Sequence, residues 1–202
     1  KHINSIDTIK LDYKPGKKYS YSNVGFEILG EIIAQVSGTS FDQYMEEQLF
    51  IPLNMSETSY TLSDFRKEEM AFPHEGHPYQ ETEKFPYNRA ISPSGNLFTN
   101  IHDMNKWMIF NLNQGSYKGF EPLSKERFNQ LISPRVNTEE DDFIGLSWFM
   151  NNQLVYHDGL DLGYSSLMML YTKQGIGITV LINHQDADCN ELLNLIAKSI
   201  RF

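Results

Sequence analysis

Pro15-Gly16-Lys17-Lys18-Tyr19-Ser20-Tyr21-Ser22-Asn23-Val24-Gly25-Phe26 carries the chain from a turn straight into a helix. Pro15-Gly16 is the turn signal, because proline presets φ and glycine accepts left-handed backbone. Beyond Asn23, the residues Phe26, Ile28, Leu29, Ile32, Ile33 and Val36 recur at helical spacing, and Gly38 closes the run. A tyrosine and an asparagine two apart at a helix start can direct a phenol and an amide into one cleft. The phenol can move a proton if a nearby ammonium lowers its pKa. The amide can hold a substrate carbonyl. Read alone, Tyr21-Ser22-Asn23 is also ordinary capping chemistry.

Outward from this stretch, Thr39 or Ser40 caps a second helix with Phe41, Tyr44, Met45 and Leu49 on one stripe, and Pro52 ends it. Residues 56–95 show no sustained period and hold Pro73, Pro78, Pro86 and Pro93, which marks a functional loop or an irregular lobe. A third helix starts at Asn100, with Ile101, Met104, Trp107 and Met108 inward and Gly115 as its stop. A fourth runs from about Ser124 to Leu131. After Asp142 the texture becomes that of strands: Ile144–Met150, a turn at Asn151-Asn152-Gln153, then Leu154–His157, Tyr164–Tyr171 and Ile176–Asn183. A helix over Glu191–Ile200 closes the chain. Helices followed by an antiparallel meander give an α+β fold, with a helical lobe over 1–142 and a sheet with its covering helix over 143–202.

Tyr156-His157-Asp158-Gly159 ends a predicted strand. His157 offers a polar side chain there, Gly159 permits close approach of a ligand, and the Leu160 N–H can donate to a developing oxyanion. Asp158 adjoins His157 in sequence, so its side chain takes the opposite strand face and no Ser-His-Asp triad forms. His74-Glu75-Gly76-His77 brings two histidines near a glutamate, but Pro73 and Pro78 flank it and the His-Glu-x-x-His spacing is absent. No metal and no cofactor are expected. His2, His102 and His184 show no partner pattern.

The charge balance excludes partners. A net charge of −9 argues against nucleic acid and against an anionic membrane surface. Lys14, Lys17 and Lys18 are the one local cluster of cations, and a solvated turn accounts for them. Aromatic residues at 13% supply the apolar surface a folded core needs. Cys189 is the one cysteine, so no intrachain disulfide framework exists. No apolar run is long enough to span a bilayer.

These pieces fall in an order that resembles the serine β-lactamase, penicillin-binding protein and esterase family. Pro15-Gly16, Tyr21-Ser22-Asn23-x-Gly25, Leu29-Gly30-x-Ile32-Ile33 and Ser37-Gly38-x-Ser40-Phe41 follow its pattern. Pro52-Leu53-Asn54-Met55 with Thr58 resembles its Pro-Leu-Gly-Met-x-x-Thr, Asn54 standing where glycine is usual. Ser94-Gly95-Asn96-Leu97-Phe98-Thr99 with Asp103, and Gly145-Leu146-Ser147-Trp148, resemble further landmarks. His157-Asp158-Gly159 with Gly163-Tyr164-Ser165-Ser166 resembles the histidine variant of its third motif. That variant leans away from a typical class C β-lactamase and toward peptidase-like or esterase-like relatives.

The resemblance implies acyl transfer by an activated serine on a β-lactam, a D-alanyl peptide or a small ester. It makes Tyr21 the proton shuttle, Asn23 the group that orients the substrate amide or the family's lysine, and His157 the residue across the cleft, near a substrate carboxylate or the tyrosine. Ser22, Gly159 and Leu160 would line the substrate. The family's first motif, Ser-x-x-Lys, is absent: no lysine has a serine three residues before it. The expectation is therefore a truncated or processed portion, inactive without an upstream segment. Its sheet edge would be uncovered and would pair with that segment or with a dimer partner. A different class of function is a binding or regulatory module that kept the cleft and lost the nucleophile. The family often works in the cell envelope, and the sequence carries no signal that sets localisation.

Overall fold

A computed structural model of the chain describes residues 10, 12–82, 85, 87–138, 142–151 and 154–200. Ser22, extended at φ −152°, is the N-cap of helix α1 (Asn23–Ser37), and its side chain accepts the Gly25 N–H. Gly38 ends α1 in left-handed backbone at φ +75°. Ser40 caps α2 (Phe41–Met45) in the same way, and one wider helical turn over Glu46–Phe50 extends it. Asn100 caps α3 (Ile101–Leu112), and Ser124 caps α4 (Lys125–Leu131). Each cap satisfies an amide that the helix itself leaves unpaired.

Two short strands, β1 (His74–Glu75) and β2 (Gln80–Glu81), form a hairpin within the irregular stretch. The main sheet has six antiparallel strands in chain order: β3 (Val136–Asn137), β4 (Phe143–Ile144), β5 (Phe149–Met150), β6 (Val155–Asp161), β7 (Tyr164–Tyr171) and β8 (Ile176–Ile182). Helix α5 (Cys189–Ile200) follows. The sequence places the change from helix to strand after Asp142; the sheet's first strand is Val136–Asn137.

Alternation along β7 sorts its side chains between two layers. Met168 and Leu170 join Met108 of α3, Trp148, Met150 and Val155 on one face. Leu167 and Met169 join Ile178, Val180, Cys189 and Leu193 of α5 on the other. The sheet is thus sandwiched between α3 and α5. Gly177 lets α3 pack close to β8: a Cβ there would stand 3.0 Å from Met108 Cε. The helical part has its own core of Phe50, Leu53, Met55, Tyr60, Phe110, Tyr117 and Phe128. Burying Leu53 completely contributes about 1.5–3 kcal/mol.

The motifs Pro52–Thr58 and Ser94–Asp103 bolt these parts together. Asp103 is 2% exposed. Its carboxylate accepts from the Glu57 N–H (2.8 Å), the Thr58 hydroxyl (2.9 Å) and Lys106 Nζ (2.7 Å). Burial pushes the Asp103 pKa up, but the bonds from Lys106, Glu57 and Thr58 together hold it below the usual aspartate value. Lys106 also donates to the Asn54 carbonyl. Asn54 takes left-handed backbone at φ +58°, which explains why the family's usual glycine sits there and why asparagine substitutes for it.

Two expectations change. The single strand expected over Ile144–Met150 is instead two strands joined by a tight turn. Gly145 donates its N–H to the Trp148 carbonyl, and Ser147 has φ +72°. A Cβ at Gly145 would lie 2.3 Å from the Leu131 carbonyl oxygen, so only glycine passes α4 there. The strand expected to stop at His157 continues to Asp161, because β7 pairs with it that far, Asp161 opposite Tyr164. Asn152 and Gln153 of the expected turn lie outside the described residues, and so does His2.

The stretch 56–95 is an irregular lobe fastened to the ends of β7 and β8. The His74 N–H donates to the Gly163 carbonyl and Gln185 N–H to the His74 carbonyl. The Tyr164 hydroxyl donates to the Ala71 carbonyl at 2.7 Å, and burial pushes its pKa up to about 12. Phe98 gathers Phe65, Phe85 and Tyr87 around it. No helix among the described residues is long and apolar enough to cross a membrane.

Candidate active site

Tyr21, Ser22 and Asn23 stand at the mouth of α1, and all three are exposed. The Ser22 hydroxyl is engaged in the cap, 3.0 Å from the Gly25 nitrogen. Tyr21 is 61% exposed, and no described side chain bonds its hydroxyl. The capping reading and the cleft reading of this tripeptide are therefore compatible: serine does the first, leaving the phenol and the amide available.

His157 sits midway along β6, half-buried. Its Nδ1 lies 2.6 Å from the Asp158 carbonyl oxygen, which can only accept, so Nδ1 donates there; in the neutral ring this tautomer leaves Nε2 as an acceptor. Beyond Tyr156, β6 outruns β5. Phe149 pairs with Tyr156 and Met150 with Val155, whereas β7 pairs with β6 through Asp161. Among the described residues, His157–Asp161 has a strand on one side only. Leu160 there is 74% exposed. Such a bare edge offers its backbone donors and acceptors to an extended ligand.

Gly159 faces Ser166 across the ladder, and a Cβ on it would stand 2.6 Å from Ser166 Oγ. The close approach inferred for a ligand is thus already made by a hydroxyl of β7. Ser166 lies in the quoted Gly163–Ser166 run, but only the register shows that it meets Gly159.

No hydrogen bond joins Tyr21 or Asn23 to His157 among the described residues. The two constellations are linked through rings instead. Tyr19 meets Phe149 edge-on at 5.8 Å between centroids, and Phe149 lies 5.5 Å from the His157 ring. Reading the sequence did not single out Phe149 or Tyr19 as the link between the two constellations; Phe149 carries no reactive group, and the Tyr19 phenol lies outside the Tyr21-Ser22-Asn23 pattern.

The histidines of 74–77 are otherwise occupied. His74 Nδ1 lies 2.8 Å from the Phe72 carbonyl, and the His77 ring stacks on His184 at 5.7 Å. His184 is buried between Gly76 and Asp186, its Nε2 on the Gly76 carbonyl and its Nδ1 accepting the Asp186 N–H. No group of three or more potential ligands among the described residues is placed to hold a metal.

The chain is 31% identical over 179 residues to Protein flp of Staphylococcus aureus (strain NCTC 8325 / PS 47), covering 86% of this chain and 35% of that protein. It is 28% identical over 171 residues to a putative D-alanyl-D-alanine carboxypeptidase of Escherichia coli O157:H7, covering 74% of this chain and 38% of that protein. The chain therefore spans little more than a third of the length of these relatives. A solved class C beta-lactamase superposes on 100% of this chain and 63% of its own, with a TM-score of 0.81 at 14% identity. The fold is accordingly that of the β-lactamases and transpeptidases, α+β as the order of elements predicts. Residues 3–198 match the Beta-lactamase family model, and the chain belongs to that family.

Proposed function

We propose that this chain forms one side of a serine hydrolase site acting by acyl transfer on a D-alanyl peptide, a β-lactam or a small ester. The nucleophile stands on a segment outside these 202 residues. The observation that carries the reading is the open side of β6 beyond His157, reached through Tyr19 and Phe149 from the Tyr21 turn. An extended acyl donor lies along that edge, with its carbonyl oxygen at the Leu160 N–H. As the serine attacks, Tyr21 relays its proton to the leaving group. Asn23 orients the substrate amide. His157, with Nε2 as acceptor, holds a donor on the far side of the cleft. Ser22 acts by holding the turn, and Gly159 by keeping the edge flat against Ser166.

The same proposal assigns an occupant to two bare surfaces. Val24, Leu29, Ile32 and Val36 on α1 are exposed, and β8 ends the sheet with no described strand on its outer side. The segment bearing the nucleophile covers both, and the helices and sheet described here are one part of a single domain with it.

Intact mass spectrometry of the longer protein after fluorophosphonate treatment tests this. The expected result is one adduct on a serine outside residues 1–202, formed about 10²–10⁴-fold more slowly in Y21F. An adduct on a serine within these residues, or none at all, would overturn it; the latter outcome is that of a binding module without a nucleophile.

A further inference from the structure

Lys17 and Lys18 in the turn before α1, and Arg135 just before β3, line one groove of about 530 Å³. Asn137 and Thr138 of the β3 end and Tyr19 complete its walls, and among the described residues no acidic one lines it. Among the described residues, the ion pairs are Arg66–Glu69, Arg89–Asp42 and Lys106–Asp103, so none of the three groove cations is in one. The Lys18 ammonium stands 5.9 Å from the Tyr13 ring centroid, and the Arg135 guanidinium reaches the Gln130 carbonyl only at 3.5 Å. Most of its donors are left over. In a chain of net charge −9, cations have acids to pair with almost anywhere. Three of them gathered in one concave place repel each other unless an anion joins them.

The groove also has an address. Its wall residue Tyr19 is the ring that meets Phe149, and Phe149 is the ring that meets His157. We propose that it is a subsite for an anionic group, phosphate or carboxylate, carried by the substrate beyond the reacting carbonyl. Arg135 supplies a planar fork suited to two oxygens, and Lys17 and Lys18 supply point charges. The volume falls in the range of small-molecule sites, so it takes the anion together with the atoms that bear it. That the anion belongs to the acyl donor rests on the function proposed above; that the groove binds an anion does not.

The test is a ¹⁵N-correlation titration of the protein with inorganic phosphate and, separately, with acetate, ionic strength held constant with chloride. Saturable shifts at the amides of Lys17, Lys18 and residues 136–138 are expected. K17Q/K18Q/R135Q weakens them by about tenfold or more, while the rest of its spectrum stays that of the folded protein. Tighter response to phosphate assigns a phosphoryl group, and an equal or tighter response to acetate assigns a carboxylate. Linear shifts spread equally over Lys67, Lys125 and Lys173, or a titration unchanged in the triple variant, would overturn the subsite. So would the absence of saturation, which is the result if the acidic run 139–141 neutralises these cations. Fluorophosphonate labelling is independent of all these outcomes, so a failed subsite and a failed acyl-transfer site are told apart.

Discussion

Helices α1 and α3 carry the same kind of apolar periodicity, and they end up in opposite surroundings. α3 buries Met104, Met108, Phe110, Asp103 and Asn111, and its side chains enter both the helical core and one face of the sheet. α1 is longer, 15 residues against 12, yet buries only Gly30. Leu29 and Ile32 are about half exposed, and Val36 is 83% exposed. Periodicity tells that a helix has a face to bury; it does not tell whether the burying partner is at hand. The difference separates a helix that organises these residues from one whose apolar face they leave exposed.

The largest expected effect tests the organising helix. D103A removes the acceptor shared by Glu57, Thr58 and Lys106 and leaves Lys106 near a buried gap, at a cost of about 3–5 kcal/mol. Urea unfolding measures it. The pH dependence follows from the sign of the shift. The folded pKa is lowered, so the stabilisation is present above the unfolded aspartate value of about 3.9 and is lost as pH falls below it toward the folded value. Wild type should therefore lose stability on acidification through that window, and D103A should show a flatter acid limb. An unchanged acid limb would mean that Asp103 does not clamp α3.

Next comes a tight contact that α1 makes at Gly30. Gly30 passes Pro93 so closely that a Cβ would stand 2.2 Å from the Pro93 Cγ and 2.7 Å from its Cβ. A proline ring has little freedom to move aside, so G30A should cost about 1–3 kcal/mol through overpacking. A neutral or stabilising outcome, as helix propensity alone would give, would show that α1 is only loosely seated.

The parts of the fold that were legible in the sequence are those decided locally. Ser22, Ser40, Asn100 and Ser124 each cap a helix by accepting the amide three residues on, a pattern contained within a few residues. What escaped depends on distant neighbours. The break at Gly145 is imposed by the Leu131 carbonyl. The length of β6 is set by its partner β7. At the candidate site, Tyr21, Asn23 and His157 stand out in the sequence by residue type, but the contacts of Tyr19 with Phe149 and of Phe149 with His157 depend on residues far apart in the chain. Lys17 and Lys18 read as a solvated turn because Arg135, far along the chain, is what makes the turn one wall of a groove.

The smallest expected effect is the sharpest test of the comparison. I32Q/V36Q places two amides on the bare stripe of α1, where the side chains are already in water. Glutamine suits a helix as well as the residues it replaces, and substitutions away from packed features change stability by less than about 0.5 kcal/mol. In the 202-residue chain the double variant should therefore unfold at the same urea concentration as wild type. In the longer protein the proposed segment covers this stripe, and the same two changes bury unpaired amides, each costing about 1–3 kcal/mol. An equal loss in both settings would mean that the stripe is packed within the 202 residues themselves. No loss in either would mean that the stripe is bare in the whole protein too, and that the nucleophile segment seats itself elsewhere, along β8 alone.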